Sequence, residues 1–257
     1  MLQTNAINAM ESMNKLKLSV AVLASVALVS GCWLLGRGLT HFRQDASTIT
    51  VTGMAEKEIT SDLIVWNITV TGEAGTRSGA FAEFERSVAT VRKYLRQNGI
   101  ADSSISSGSA DITKLTKSQY DSSQQRYFSI DNGFSVSQTL SVSSSQLATV
   151  EQVYQKISEL YGRGIDFSSS SPLYYYTRLN DLKMEMLHAA GANALERAKT
   201  IAEGCDAHVG DLKSSAMGVF QIVGKNSNED YSWGGTFNTD SKEKVASITV
   251  KAVYKAD

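Results

Sequence analysis

Residues 49–70 read ITVTGMAEKEITSDLIVWNITV, and the alternation within this stretch decides the class of fold. Ile49 to Gly53 and Leu63 to Thr71 are rich in β-branched residues, and Ile64, Trp66, Ile68 and Val70 fall on one face of a strand of period two. Two adjacent strands therefore open a folded domain. Glu56, Glu58 and Asp62 lie between them; paired carboxylates can do acid and base work, but on a short turn they read as hydrated surface groups.

Toward the C-terminus the period changes. Phe81, Phe84, Val88, Val91 and Leu95 recur at spacings of three and four, which predicts an amphipathic helix with Ser78 as its cap and Gly99 as its stop. Ile105 to Leu115 reads as a strand, and the polar run from Thr116 to Gln125 separates it from the alternating Phe134, Val136, Leu140 and Val142. That combination predicts a hairpin with a long polar tip. Val150, Val153, Ile157 and Leu160 form the stripe of a second helix ending at Gly162 or Gly164, followed by a strand from Ile165 to Tyr176.

Asn180 is placed to cap the longest helix, whose stripe runs Leu182, Met186, Ala190, Ala194, Ala198, Ile201 and Cys205. Leu212 to Val223 and Val245 to Tyr254 then read as strands joined by KNSNEDYSWGGTFNTD, a polar loop in which Gly234 and Gly235 permit tight turns. Strands paired as hairpins between helices predict an α+β fold of antiparallel sheets, each covered by helices on one face, rather than a doubly wound parallel sheet. No internal repeat is visible.

Toward the N-terminus, Leu18 to Leu35 reads LSVAVLASVALVSGCWLL, an uncharged apolar run close to the ~20 residues that cross a bilayer as a helix. Lys15 and Lys17 precede it, and Arg37 and Arg43 follow. Three readings compete: an uncleaved signal anchor, a cleaved secretory signal, or a lipoprotein signal processed at Cys32 within Val29 to Cys32. Trp33, Leu34 and Leu35 continue the apolar run where a lipoprotein would have a polar tether, which favours the anchor. The chain is thus divided into a cytoplasmic tail (1–17), a transmembrane helix (18–36), a linker (37–47) and an α+β domain (48–257), with the domain on the extracytoplasmic side.

Lys plus Arg total 25 against 26 for Asp plus Glu in 257 residues, so no global field attracts nucleic acid. Roughly 210 residues remain for folding once the N-terminal part is set aside, enough for one large domain or two small ones. Cys32 and Cys205 are too differently placed to predict a disulfide, and Cys205, at the end of the long helix, reads as a core residue. His41, His188 and His208 show no metal-ligand spacing, and Cys205 with His208 would supply only two of four zinc ligands. No serine lies in a GxSxG frame, and the Gly-rich pieces lack a phosphate-loop lysine. No catalytic residue, cofactor or metal is predicted. Aromatic side chains are the better pointers: Tyr174 and Tyr176 in the run LYYY, and Tyr231, Trp233 and Phe237 in the glycine-containing loop, are candidates for an interaction surface.

Three stretches carry a wider pattern: residues 49–70 after the WLLGRGL anchor, NGFSVSQTLSVSSSQLATVEQVYQKI at 132–157, and LNDLKMEMLHAAGANALERAKTIAE at 179–203 followed by VGDLKSSAMGVFQI. Together they resemble the SIMPL-domain family, in its membrane-anchored bacterial branch related to periplasmic immunogenic and oxidative-stress-defence proteins. The resemblance covers about Thr48 to Tyr254. It implies two interlocked subdomains in the cell envelope, relatives that assemble into large rings or channel-like oligomers, and relatives linked to lowering oxidative stress. No enzymatic site is established for the family, so no catalytic residue is carried over. The retained anchor and the long polar loop at Asn226 to Asp240 depart from the secreted members.

The resulting expectation is a non-catalytic protein of the bacterial inner membrane with its domain in the periplasm. It would form a homo-oligomer through sheet edges and the aromatic loop, with another envelope protein as a candidate partner, and contribute indirectly to stress tolerance. A small-molecule or ion-binding oligomer, or a pore, is the second reading; a hydrolase built on a serine with His188 or His208 is the third.

Overall fold

The computed structural model describes residues 22–23, 25–37, 47–230 and 232–256. The domain has α+β architecture with antiparallel strand pairing. Its elements run β1 (Thr48–Thr60), β2 (Leu63–Ala74), α1 (Arg77–Gln97), β3 (Ile105–Ser107), β4 (Asp111–Asp121), β5 (Arg126–Ser144) and α2 (Leu147–Lys156). After a 3-10 turn at Ile157–Arg163 come β6 (Asp166–Ser169), β7 (Leu173–Tyr175), α3 (Leu179–Glu203), β8 (Val209–Met217), β9 (Gln221–Gly224) and β10 (Glu243–Ala256). The chain divides into two compact units. One collects Met1–Gly53, Ala194–Ala216 and Lys251–Asp257, and the other Met54–Asn193 and Met217–Val250.

The larger unit contains a sheet in the order β3-β5-β2-β6, with β4 also paired to β5 and β7 to β2. Its central pair keeps register from Ile64 opposite Ser144 to Ala74 opposite Phe134, all antiparallel. Because side chains alternate along a strand, this register puts Ile64, Trp66, Ile68, Val70, Leu140 and Val142 on one face. They form a single core with Val91 and Leu95 of α1 and Val150 and Val153 of α2. Each such side chain contributes roughly 1.5–3 kcal/mol on burial, so the helices are held mainly by this face.

Gly72 fixes how closely α1 approaches. A Cβ there would meet the backbone of Phe84, its Cα at 2.6 Å, so only glycine admits the helix at this distance. Thr76 caps α1, its hydroxyl accepting from Gly79 N at 3.1 Å, and Ser78 lies inside the first turn instead of at the cap.

A second sheet runs β1-β10-β8, with β9 also paired to β10. In the larger unit, Ile59, Leu182, Met186, Ala190, Phe220, Ile222, Ala246 and Ile248 form a core of their own. In the smaller unit the core is Val51, Ala194, Ala198, Ala252 and Tyr254.

Several sequence expectations are corrected in detail. β1 continues through Glu56 and Glu58, so those carboxylates lie on a strand and only Ser61 and Asp62 form the turn. The predicted strands at 105–115, 165–176 and 212–223 are each interrupted, around Gly108, Pro172 and Gly218. The run Thr116 to Asp121 is strand, not loop. In α3, Asn180 lies inside the first turn, and the buried stripe continues at Ala202 while Ile201 is exposed. Cys205 lies beyond the helix end and is exposed rather than in the core.

Among the described N-terminal residues, 25–37 are helical, and Val26, Leu28, Val29, Trp33, Leu34 and Leu35 are all exposed. Arg37 lies over the Trp33 ring, 4.4 Å from its centre. No helix among the described residues is long and apolar enough to cross a membrane. Residues 18–21 and 24, part of the expected transmembrane helix, lie outside the described residues.

Candidate functional site

Two surfaces stand out. The first is the turn that carries Trp233. Gln221, buried at the start of β9, brackets this turn: its Nε2 donates to Ser232 O at 2.6 Å and its Oε1 accepts from Thr236 N at 2.7 Å. Ser232 Oγ accepts from Gly234 N at 3.2 Å, and Gly235 takes a left-handed φ of 93° directly over the Phe220 carbonyl. Ile222 N then donates to Thr236 O at 2.7 Å, and Asn238 N to Ile222 O at 2.9 Å. The turn is therefore fixed on both sides. Trp233 at its tip is 100% exposed.

The rest of the loop is equally organised. Glu229 accepts from Gly224 N at 3.0 Å and from Asn238 Nδ2, and the Gly224 donation holds its carboxyl below the usual carboxylate range. Asn238 Oδ1 accepts from Ser241 N at 2.8 Å and from the buried Lys244 Nζ at 3.2 Å. Lys244 also donates to Ser241 O, and burial pulls its pKa down. The polar loop is thus tied to β10 by a lysine.

Under the turn lies a cleft of about 370 Å³ lined by Met54, Val219, Gln221, Ser232, Trp233, Ser247, Ile248 and Thr249. None of these side chains is charged. Phe237, the other exposed aromatic of the loop, is tilted against Phe220 with ring centres 6.4 Å apart, and Lys183 lies over both rings. Tyr231 lies outside the described residues.

Tyr174 and Tyr176 serve their own fold. The Tyr174 hydroxyl donates to Glu151 Oε1 at 3.1 Å, and burial followed by this bond pushes its pKa up to about 12. Glu151 Oε2 also accepts from Lys242 at 3.0 Å, and Tyr174 N donates to Thr239 O at 2.7 Å. Tyr176 packs beside the Leu182 core, with Arg178 over its ring.

The second surface is the ribbon formed by β4 and β5 beyond the sheet. After a bulge at Leu115 the strands stay paired from Thr116 opposite Asp131 to Asp121 opposite Arg126. Asp121 closes the tip by accepting from Ser123 N at 2.8 Å and Ser123 Oγ at 2.6 Å. Both faces of the ribbon meet solvent: Tyr120 and Tyr127 share one, with ring centres 5.0 Å apart, and Phe128 lies on the other. The sequence predicts a hairpin here, but with a polar tip over Thr116 to Gln125; the strands stay paired to Asp121, which no alternation reveals because neither face is buried. The aromatic pair Tyr127 and Phe128 and the turn run Asp121 to Gln124 were the available signals.

Residues 49–254 match the family model SIMPL, protein of unknown function. The chain belongs to the SIMPL family. No curated protein matches it. In this SIMPL domain His188 and His208 are exposed, and neither side chain makes a hydrogen bond among the described residues; His41 lies outside them. No group of three or more His, Cys, Asp or Glu among the described residues is placed to hold a metal ion.

Proposed function

We propose that this SIMPL protein is a non-catalytic, membrane-anchored module of the bacterial cell envelope that works by self-association, with the β4–β5 ribbon as its contact surface. The observation that carries this reading is the ribbon itself. A two-stranded ribbon wet on both faces is marginal on its own, and aromatic side chains placed on it lose solvent only against another molecule. Its charges favour a second copy: Asp111, Asp121 and Asp131 stand beside Lys114, Lys117 and Arg126, so two ribbons laid antiparallel can set opposite signs against each other. β8 offers a further edge, exposed from Asp211 to Met217.

The anchor reading rests on the apolar run from Leu18 to Leu35 and on the exposure of its described apolar side chains. It places the protein in the inner membrane with the domain in the periplasm. The contribution to oxidative-stress tolerance is carried by the family resemblance and is indirect, through the assembly.

Light scattering on the full-length protein in detergent, beside a Tyr120→Ser, Tyr127→Ser, Phe128→Ser variant, tests the reading. A discrete oligomer that the triple variant reduces to monomer is the expected result. A monomeric wild type, or an oligomer indifferent to the variant, overturns it. Retention of the chain in membranes washed with alkaline carbonate is expected of the anchor, and release would count against it.

A further inference from the structure

We propose that the cleft beneath the Trp233 turn binds a neutral saccharide, one pyranose ring stacking on the indole while its hydroxyls reach Ser247 and Thr249. This does not depend on self-association. Three independent features of the cleft converge on that ligand chemistry.

The first is the tryptophan. A side chain of this size is rarely left wholly in water, and here the turn presenting it is clamped from both sides by the buried Gln221 amide. With the backbone that presents it held in place, a ligand lying on the indole has only the side-chain torsions left to order. The apolar face of a pyranose, made of axial C–H groups, fits such a platform.

The second is a pair of unused hydroxyls. Ser247 is only 6% exposed and lines the cleft, yet its hydroxyl has no hydrogen-bond partner among the described residues. Thr249 lines the same wall, and its hydroxyl, next to Gly218, is likewise without a partner among the described residues. Each can donate and accept, as an array of sugar hydroxyls requires.

The third is the lack of charge. No Lys, Arg, Asp or Glu lines the cleft, which disfavours phosphate, carboxylate and ammonium ligands. A purely apolar ligand would leave both hydroxyls unpaired. The volume of about 370 Å³ falls within the range of small-ligand sites, about 300–1,000 Å³, and the cleft is open on one side so that a longer chain could continue out of it.

The test is saturation-transfer difference NMR on the full-length protein in an amine-oxide micelle, because a glycoside detergent would compete. The probes are cellobiose, maltose and chitobiose, each at about 10 mM, a concentration that detects millimolar dissociation constants. For at least one of them, saturation should fall mainly on the protons of the ring's C–H face. Trp233→Ala should weaken binding at least tenfold, and Ser247→Ala and Thr249→Val severalfold each, with thermal unfolding of the Trp233 variant unchanged because the side chain is exposed. No saturation with any of the three overturns the proposal, as does a dissociation constant that Trp233→Ala leaves unchanged. Glucose 6-phosphate binding as well as cellobiose would overturn the neutral character of the site.

Discussion

Gln221 and Ser232 are joined by a 2.6 Å hydrogen bond from a buried side-chain amide to a main-chain carbonyl, and the same amide accepts from Thr236. Gln221→Leu removes both bonds and strands two main-chain groups. A loss of about 1–3 kcal/mol is expected from a urea titration, with faster hydrogen exchange confined to residues 232–236. A variant as stable as wild type would mean that the turn stands without its bracket.

Gly72→Ala addresses the approach of α1 to β2. The added methyl would lie against the Phe84 main chain, which cannot swing aside as a flexible side chain would. Overpacking costs about 1–3 kcal/mol where the surroundings give way and more where they do not, so this variant should lose at least about 3 kcal/mol or fail to fold. Gly75→Ala, where nothing lies within 4 Å, is the control and should fold normally.

Ser61 points the other way. Its hydroxyl is buried without a hydrogen-bond partner among the described residues, although its main-chain N donates to Lys242 O at 3.0 Å. Ser61→Ala keeps the main-chain bond and removes the stranded group, so a gain of about 0.5–1.5 kcal/mol is expected. A loss of stability in thermal unfolding would contradict this account.

Tyr174 gives a pH signature. Its pKa, ordinarily 10.0, rises to about 12 in the folded protein because burial and the bond to Glu151 both favour the neutral phenol. The folded state therefore holds this proton more tightly than the unfolded one. The stability it confers is complete below pH 10 and disappears as pH climbs through about 12. Tyr94, raised by burial and by Glu159, acts in the same direction. The denaturation midpoint of wild type should fall across that window and that of Tyr174→Phe less steeply; parallel curves would assign the effect elsewhere.

Where one face of an element is buried, the sequence was easy to read. Trp66 and Leu140 stand in alternating runs because only their face meets the helices, and Val91 and Leu95 recur at helical spacing for the same reason. The stripe of α3 was misread only at its end: its buried members follow a strict spacing of four, so Ala202 succeeds Ala198, and Ile201 and Cys205 fall outside. The interruption at Gly218 was invisible because its cause is tertiary, a close approach to Thr249 on another strand. The hairpin of β4 and β5 was legible but the length of its ribbon was not, because two wet faces leave no alternation. Of the site, the exposed Trp233 could be anticipated from its two glycines, but not the clamp from Gln221, which reaches it from a strand, nor the unpaired hydroxyls of Ser247 and Thr249.

The position of β10 between β1 and β8 has a consequence for biogenesis. β10 leaves the ribosome after every other element described here, yet it is the strand on which its sheet is assembled. Throughout synthesis β1 waits with its hydrogen-bonding edge open, and no local pairing can relieve it. Contacts so distant in sequence close slowly. Glu56, Lys57 and Glu58 on the waiting strand are the kind of charges that discourage wrong partners in that interval. A chain that stops before residue 243 lacks the strand its sheet is built on and cannot complete it.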